Sequence, residues 1–128
     1  MKILLDTCTF LWITFDAPEI SVLARSLFTD PNNEVALSSV SCWEIAVKYS
    51  LGRLPLPSPP ERFVPQQRRA HDIELLELGE EAALHVAKLP PLHRDPFDRM
   101  LVSQALVEGY VLLTPDETIA RYPVRVLW

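Results

Sequence analysis

The feature that most constrains this chain is the regular alternation of short apolar runs with segments of helical periodicity. The apolar runs are KILL (2–5), EVALS (34–38), IELLEL (73–78), YVLL (110–113) and VRVLW (124–128). Their length and composition are typical of buried strands. Strands that alternate with helices favour a parallel arrangement. The sequence therefore predicts an α/β fold in which helices cover both faces of a mainly parallel sheet.

The helices are predicted from the spacing of apolar residues and from the residues that end them. The segments are 10–15, 20–28, 42–51, 61–71, 80–89 and 96–108, with one more helix start in TPDETIARY (114–122). Gly52 and Gly109 follow two of these segments, at positions where a left-handed glycine commonly ends a helix. The proline-rich stretch LPLPSPPERF is too short to separate two domains, so we expect one domain over residues 1–128.

The composition is that of a folded, acidic protein. The 128 residues are 48% hydrophobic, which is enough to form a core. The net charge of −5 argues against a protein that coats DNA or RNA, because such a protein would carry a basic face. No apolar run is long enough to span a membrane, and Asp6 interrupts the first one too early for a secretory signal. Cys8 and Cys42 form no disulfide framework. We expect them to be small core residues with reduced thiols in a cytoplasmic protein.

Carboxylates occupy corresponding places along the alternating pattern. Asp6 ends the first strand, and Glu44 lies on the first turn of the helix after the second strand. Asp95 and Asp98 open the helix at 96, and Asp116 follows the YVLLT segment. In a parallel sheet the carboxyl ends of the strands share one edge, where ligands bind in a crevice. We therefore expect these acids to meet at that edge.

Helix capping is the alternative explanation for each acid taken singly. Ser41-x-x-Glu44 fits a capping box, in which Ser41 caps the helix. The stretch DPFD (95–98) fits an N-cap followed by a proline and an acid, and TPDE (114–117) repeats that form. An acid at a helix N-terminus also gains about 0.3–1 kcal/mol from the helix dipole.

Taken together, the acids favour a metal site. Carboxylates gathered in one crevice repel one another and raise each other's pKa. A cap needs only one acceptor, which Ser41 and Thr114 already supply at two of the helix starts. Hard divalent cations such as Mg²⁺ and Mn²⁺ prefer oxygen ligands and would offset the repulsion. Two such ions about 4 Å apart can hold the attacking and the leaving oxygen of a phosphodiester, and the sequence leaves open whether one or two bind.

Four segments carry a resemblance to a known family. They are ILLDTCTFLW (3–12), SVSCWEIAVKYSLGRL (39–54), LPPLHRDPFDRMLVSQAL (89–106) and LLTPDETIARYPVRVL (112–127). On these segments the chain resembles a PIN domain, and within that superfamily a VapC-type toxin ribonuclease. The resemblance implies a three-layer α/β/α sandwich and a metal-dependent endoribonuclease, the toxin of a type II toxin–antitoxin system. Cys8 stands where some relatives have histidine, which changes little because carboxylates carry the family's chemistry.

The resemblance also implies roles for the acids. Asp6, Glu44, Asp98 and Asp116 match the catalytic and metal-binding acids, with Mg²⁺ or Mn²⁺ as the implied cofactor. Glu44 would bind the metal directly or through water, and Asp95 would cap its helix or help to hold the metal or its waters. A metal-activated water would cleave a phosphodiester of tRNA, rRNA or mRNA and leave 5′-phosphate and 3′-hydroxyl ends.

Polar residues beside the acids are candidates for binding the RNA substrate. Arg94 and Arg99 flank the acid pair and could hold the RNA backbone, with ordinary salt bridges or solvated side chains as the alternative. Thr114 could hydrogen-bond a carboxylate or water, or cap a helix, and Thr7 could do the former. His93 could contact RNA.

Other side chains are expected to serve packing and association. Lys48 lies four residues after Glu44, which predicts a helical ion pair. Trp12, Trp43 and Phe97 could stack on bases, although apolar spacing favours core or interface positions. The apolar segment TFLWITF (9–15) is a candidate subunit interface. The resemblance implies a homodimer and a VapB-type antitoxin, whose C-terminal arm would bring an Arg or Lys to the carboxylates.

Three other functions fit parts of the pattern. A response-regulator receiver also binds Mg²⁺ at strand ends, but it needs an acidic pair where this chain has Asp6 alone, and a Lys near its last strand. A phosphatase of the DxDx type needs a second acid where Thr7 and Cys8 stand. A non-catalytic module with a PIN-like fold would have no need of the four acids at the predicted site.

Overall fold

The structure is a computed structural model that describes residues 1–128, and its five strands form a single sheet. The strands are β1 (Lys2–Leu5), β2 (Glu34–Ser38), β3 (Glu74–Leu76), β4 (Val111–Leu113) and β5 (Val126–Leu127). Their order across the sheet is β3-β2-β1-β4-β5, and every neighbouring pair is parallel. The predicted parallel sheet is therefore confirmed, with the third and fifth strands shorter than expected.

Six α-helices connect the strands. They are α1 (Thr7–Thr14), α2 (Val22–Thr29), α3 (Ser39–Ser50), α4 (Pro60–Ala70), α5 (Glu80–His85) and α6 (Pro96–Glu108). Two 3-10 turns, Val86–Lys88 and Ile119–Arg121, complete the regular structure. No helix combines the length and the apolar character that crossing a membrane would require.

Local signals in the sequence set several helix ends. Asp95 caps α6 through its side chain, and Pro96 occupies the first helical position, where its missing N–H is not needed. Gly109 ends α6 with a left-handed backbone at φ 75°, and Gly52 follows α3 at φ 71°. Both glycines allow backbone N–H groups to bond the last free carbonyls of their helices. The two predicted glycine stops are confirmed.

Four helix predictions were wrong in extent. Helix α1 begins at Thr7 rather than at residue 10, because the carboxylate of Asp6 accepts a hydrogen bond from the Thr7 N–H and caps it. Helix α3 begins at Ser39 rather than near residue 42, because the hydroxyl of Ser38 accepts a hydrogen bond from the Val40 N–H and caps it. The segment 80–89 is α-helical only to residue 85, and 114–122 forms only a 3-10 turn. Proline follows each of these two segments. Proline disfavours helical backbone in the residue before it, and both of these residues, Leu89 and Tyr122, are extended.

Alternate residues of the strands pack into two cores, one on each face of the sheet. Ile3 and Leu5 of β1 pack with apolar residues of α1 to α4, including Phe10 and Ile13 of α1. Leu4 packs on the opposite face, against α6. This arrangement confirms the three-layer α/β/α sandwich. Since Phe10 and Ile13 lie in the core, much of the segment proposed as a subunit interface is used within the chain.

A buried polar link joins β2, β3 and α6 near the carboxyl ends of the strands. The Ser38 hydroxyl donates to Oε1 of Gln104 at 2.5 Å. The amide nitrogen of Gln104 donates to the carbonyls of Leu76 at 3.5 Å and Glu77 at 3.1 Å. Ser38 and Gln104 are fully buried. The link therefore satisfies buried polar groups and fixes α6 on the edge of the sheet that carries the acids.

Candidate metal centre

The predicted acids meet where β1 and β4 end and α3 and α6 begin. A crevice of about 400 Å³ opens at this edge of the sheet. Its lining includes all five predicted acids, Asp6, Glu44, Asp95, Asp98 and Asp116. The parallel sheet brings these residues together from four separate segments of the chain, as the topology argument predicted.

Asp6 is held by hydrogen bonds to both oxygens of its carboxylate. Oδ1 accepts from the backbone N–H of Thr7 at 2.7 Å, and Oδ2 accepts from the hydroxyl of Thr114 at 2.7 Å. The residue is only 5% exposed. Burial raises the pKa of Asp6, hydrogen bonds from Thr114 and Thr7 lower it in part, and the charge of Glu44 raises it again. Thr114 was predicted either to hydrogen-bond a carboxylate or water or to cap a helix, and in the structure its hydroxyl donates to the carboxylate of Asp6.

The capping-box interpretation of Glu44 was wrong. Because Ser38 caps α3, Glu44 lies beyond the first turn, and its carboxylate lines the crevice. Its Oε1 accepts from the hydroxyl of Thr7 at 2.7 Å. Its Oε2 pairs with the ammonium group of Lys48, the predicted helical ion pair. Both oxygens of a carboxylate that is 4% exposed are thereby satisfied.

Asp95 and Asp98 occupy different positions at the start of α6. Oδ1 of Asp95 accepts from the backbone N–H of Phe97 at 2.8 Å and of Asp98 at 3.4 Å, so Asp95 caps the helix. Asp98 lines the crevice one turn later. Burial raises the pKa of the Asp98 carboxyl to about 8, and the charges of the other four acids contribute to the increase. The crowding expected from the sequence is thus centred on Asp98.

Asp116 is fixed by the turn that follows β4. Its Oδ1 accepts from the backbone N–H groups of Thr118 at 2.8 Å and Ile119 at 3.1 Å. Its own N–H donates to the hydroxyl of Thr114 at 3.1 Å. The remaining oxygen, Oδ2, lies 3.3 Å from Nε2 of His93. One oxygen of Asp116 is therefore used for local structure and the other faces the cluster.

His93 is the member of the cluster whose place the sequence did not predict. Its Nε2 lies 3.1 Å from Oδ2 of Asp98. One possible ligand atom each from His93, Asp98 and Asp116 lie within 4.8 Å of one another. The signal in the sequence was only its position two residues before Asp95, in a loop where no periodicity indicates the direction of a side chain.

Two basic residues line the crevice beside the acids, Lys48 and Arg53. Burial lowers the pKa of Lys48, but its hydrogen bond to Glu44 and the nearby acid charges raise that pKa overall. Arg53 is exposed and makes no hydrogen bond or ion pair through its side chain. It was not singled out from the sequence because it follows the turn at Gly52, at a position without helical periodicity. Both cations lie beside the carboxylates in the same crevice.

The two arginines proposed from the sequence to bind RNA have different surroundings. Arg94 is exposed at the loop before α6. The guanidinium of Arg99 donates to the carbonyls of Pro90 at 2.9 Å and Val86 at 3.3 Å and to the hydroxyl of Tyr122 at 3.1 Å. Arg99 therefore anchors the preceding loop, and RNA binding by either arginine stays a prediction.

The aromatic residues and the cysteines divide between packing and surface positions. Trp43 is 61% exposed and contacts Phe97 edge-on, with 4.9 Å between ring centroids; it is not a core residue. Trp12 is half-buried against Trp128. Neither cysteine is fully buried. Cys8 lines the crevice, where burial and the charge of Asp6 raise the pKa of its thiol to about 12.

The donor set of the crevice fits a hard divalent cation. Asp6, Asp98 and Asp116 present carboxylates from three segments, and the positive charges beside them do not neutralise all the acids. Burial raises the pKa of Asp98, and the charges of the surrounding acids raise it further. Mg²⁺ and Mn²⁺ bind through a few carboxylates and water, and Asp6, Asp98 and Asp116 would hold such an ion, while Glu44 lines the same crevice.

The chain matches a known protein family over almost its whole length. A family described as "PIN domain" matches residues 3–124. The chain therefore belongs to the PIN domain family, as its four motifs indicated. The match covers the first four strands, all six helices and all the acids of the crevice, and β5 lies beyond it.

Individual relatives agree with this assignment. A stretch of 45 residues is 44% identical to Ribonuclease VapC16 of Mycobacterium tuberculosis, and it makes up 35% of this chain and 32% of that protein. The match thus spans about a third of that relative. The fold is similar to the structure of VapBC2 from Rickettsia felis bound to a DNA fragment from their promoter, with a TM-score of 0.74, 18% identity and coverage of 100% of this chain and 99% of that chain.

A second solved structure is also similar over its whole length. VapBC-1 from nontypeable Haemophilus influenzae matches with a TM-score of 0.66 and 19% identity, over 99% of this chain and 97% of that chain. At such identities the two structures establish the shared fold.

Proposed function

We propose that this chain is a metal-dependent endoribonuclease and the toxin of a type II toxin–antitoxin pair. The observation that carries the proposal is the convergence of Asp6, Glu44, Asp98 and Asp116 on one crevice. Burial raises the pKa of Asp98, and the charges of the other four acids contribute to the increase, which supports repulsion among the acids when no cation is bound. The partial identity to Ribonuclease VapC16 supports RNA as the substrate.

The side chains of the crevice have different roles in the proposed reaction. Hydrogen bonds from Thr114 and Thr7 hold Asp6, and the hydroxyl of Thr7 holds Glu44, so the ligand oxygens need little reorganisation. A bound Mg²⁺ or Mn²⁺ supplies activation of a water molecule and stabilisation of charge on the phosphoryl oxygens. Lys48 and Arg53 offer positive charge to the RNA backbone at the rim.

The proposed reaction is hydrolysis of an RNA phosphodiester. The oxygen of water forms a bond to phosphorus, the bond from phosphorus to the 3′ oxygen breaks, and that oxygen takes up a proton. The products are a 5′-phosphate and a 3′-hydroxyl. In this reaction no carboxylate acts as a nucleophile. The Asp-Thr-Cys sequence at Asp6 agrees with this, because it lacks the second acid of the DxDx phosphatase motif.

Cleavage of RNA by the purified protein tests the proposal. We expect Mg²⁺ or Mn²⁺ to support cleavage, EDTA to stop it, and Asp6→Asn or Asp98→Asn to lower it by at least about 100-fold, since a metal ligand or its charge is lost. Glu117→Gln is the matched control because Glu117 adjoins Asp116 yet is exposed and lies outside the crevice. Undiminished cleavage by the Asp98→Asn variant would rule out the assigned site.

The ends of the products give a second readout. Sequencing of RNA 5′ ends after induced expression, beside cells that express Asp6→Asn, should reveal new 5′-phosphate ends that depend on Asp6. The same data would identify the RNA that is cut, whether tRNA, rRNA or mRNA. Ends that appear equally with both proteins would come from another nuclease and would remove the support for this activity.

We further propose that an antitoxin of the VapB type covers the crevice, and that the chain forms a homodimer. Similar folds occur in solved VapBC structures, and a basic side chain of a partner would pair with the uncompensated carboxylates. Co-expression with the product of the neighbouring gene should give a stable complex that does not cleave RNA. If that product neither binds nor inhibits the chain, the toxin assignment fails while nuclease activity can persist. Light scattering of the chain alone tests the dimer.

A further inference from the structure

The imidazole of His93 bridges two of the proposed metal ligands. Its Nε2 lies 3.1 Å from Oδ2 of Asp98 and 3.3 Å from Oδ2 of Asp116. The side chains of His93, Asp98 and Asp116 are 19%, 13% and 30% exposed, so both contacts are partly shielded from solvent. The ring therefore connects the start of α6 to the turn that follows β4.

The surrounding hydrogen bonds determine which ring nitrogen carries the proton. Nδ1 of His93 lies 3.2 Å from the backbone N–H of Asp95, which can only donate. Nδ1 must then accept with its lone pair, and a neutral imidazole carries its single proton on the other nitrogen. Nε2–H is thus a donor: it hydrogen-bonds Oδ2 of Asp116, and its partial positive charge also lies close to Oδ2 of Asp98. A nitrogen that bears a proton has no lone pair for a metal.

The main chain of His93 is fixed as well. The backbone N–H of His93 donates to the hydroxyl of Tyr122 at 2.9 Å, and the guanidinium of Arg99 donates to the same hydroxyl at 3.1 Å. Tyr122 is only 3% exposed. The loop before α6 is therefore tied to the core at the main chain of His93, next to the carboxylates that its ring contacts.

We propose that His93 is a positioning residue, whose Nε2–H holds the carboxylates of Asp98 and Asp116 together at a spacing that one cation can bridge. This inference rests on the proposed function of the crevice. Asp98 and Asp116 repel each other, and they belong to different segments. The N–H group is hydrogen-bonded to Asp116 and lies close to Asp98, so it draws one oxygen of each toward the same point and leaves other lone pairs free for the cation. Outer partners of this kind orient metal ligands.

Manganese binding to the purified chain tests the proposal without RNA. Mn²⁺ affinity is measured by calorimetry at pH 8 for the wild type, His93→Ala, His93→Gln and His85→Ala. Loss of an outer partner typically lowers metal affinity by about 10–100-fold, which we expect for His93→Ala. Glutamine can place an amide N–H near the position of Nε2, so His93→Gln should regain part of the affinity. His85 lies on α5 outside the crevice, and its replacement should change nothing.

Spectroscopy of the Mn²⁺-loaded wild type separates positioning from direct ligation. Pulsed electron paramagnetic resonance detects a coordinated imidazole through its nitrogen coupling. We expect no such coupling, because Nε2 keeps its proton. A strong coupling that disappears in His93→Ala would overturn the proposal and make His93 a ligand. Equal Mn²⁺ affinity of the wild type and both His93 variants would also overturn it.

The same titrations distinguish failure of this inference from failure of the proposed function. A wild type that binds Mn²⁺ and cleaves RNA, with His93 variants that bind equally well, contradicts only the inference. A wild type that binds no Mn²⁺ contradicts the metal site and the inference together. Circular dichroism of each variant checks the fold, and His93→Gln provides the comparison if the alanine variant does not fold.

Discussion

Replacement of Asp98 by asparagine should stabilise the metal-free protein at alkaline pH. The carboxyl of Asp98 is surrounded by four other acids, and burial together with their charges raises its pKa to about 8 from the ordinary value of 3.8. The folded chain therefore binds this proton more tightly than the unfolded chain does. Asparagine is nearly the same size as aspartate, and it removes the charge.

The sign of the pH dependence follows from proton linkage. Between pH 4 and pH 8 the folded state holds a proton on Asp98 that the unfolded state has lost, so the free energy of unfolding decreases as the pH rises. The contribution is fully present below the unfolded pKa and is lost once the pH passes the folded pKa. Since one pKa unit corresponds to about 1.4 kcal/mol, the upper limit of the loss is about 6 kcal/mol.

Water in the crevice reduces this limit. The effective dielectric at such sites is closer to 20 than to 4, and side chains can relax when Asp98 ionises. We therefore expect Asp98→Asn to exceed the wild type in the free energy of unfolding by about 2–3 kcal/mol at pH 9. Near pH 4 the two proteins should agree to within about 1 kcal/mol.

Urea unfolding in EDTA at pH 4, 7 and 9, followed by circular dichroism, measures this difference. Glu117→Gln removes a nearby charge outside the crevice, and its stability should follow that of the wild type. Addition of Mn²⁺ at pH 8 should then stabilise the wild type more than Asp98→Asn, since a ligand stabilises the state that binds it. Parallel stability curves for the wild type and Asp98→Asn from pH 4 to pH 9 would refute the electrostatic reasoning.

The remaining predictions concern the framework of the site. Gly109→Ala should lower the free energy of unfolding by about 1 kcal/mol, because a left-handed φ of 75° is strained for alanine; urea unfolding measures this, and no change would contradict it. Gln104→Leu should cost about 2–3 kcal/mol because it leaves the buried Ser38 hydroxyl and two carbonyls without their partner; a stability equal to the wild type would contradict it. Burial raises the pKa of the thiols of Cys8 and Cys42, so a disulfide reagent at pH 8 should label the native chain slowly and the urea-unfolded chain quickly, and fast labelling of both cysteines in the native chain would contradict it.

The sequence by itself determined the features that depend on near neighbours. Short apolar runs separated by helical segments specified a parallel α/β sheet, because strand length and helical spacing are local properties. Asp95 with Pro96 specified the start of α6, and Gly109 specified its end. The same topology predicted that acids after different strands would share one edge.

The tertiary structure decided which side chains meet and which atoms they use. Local spacing suggested that Glu44 was part of a cap, yet the bond from Thr7, 37 residues away, belongs to the crevice. Local spacing also placed Arg99 beside the acids, while its guanidinium bonds to Tyr122 on another segment. In both cases the local pattern fixed the residue's position on a helix and left its partners undetermined.

His93 shows the same division between local and tertiary information. Its loop has no regular period that would indicate where the ring points, and its contact with Asp116 joins residues 23 positions apart. Such contacts depend on the order of strands in the sheet and on how each loop packs against the core. A capping bond closes within one turn of helix and can be read from neighbouring residues, whereas the distance between two carboxylates on separate segments exists only once the sheet has formed.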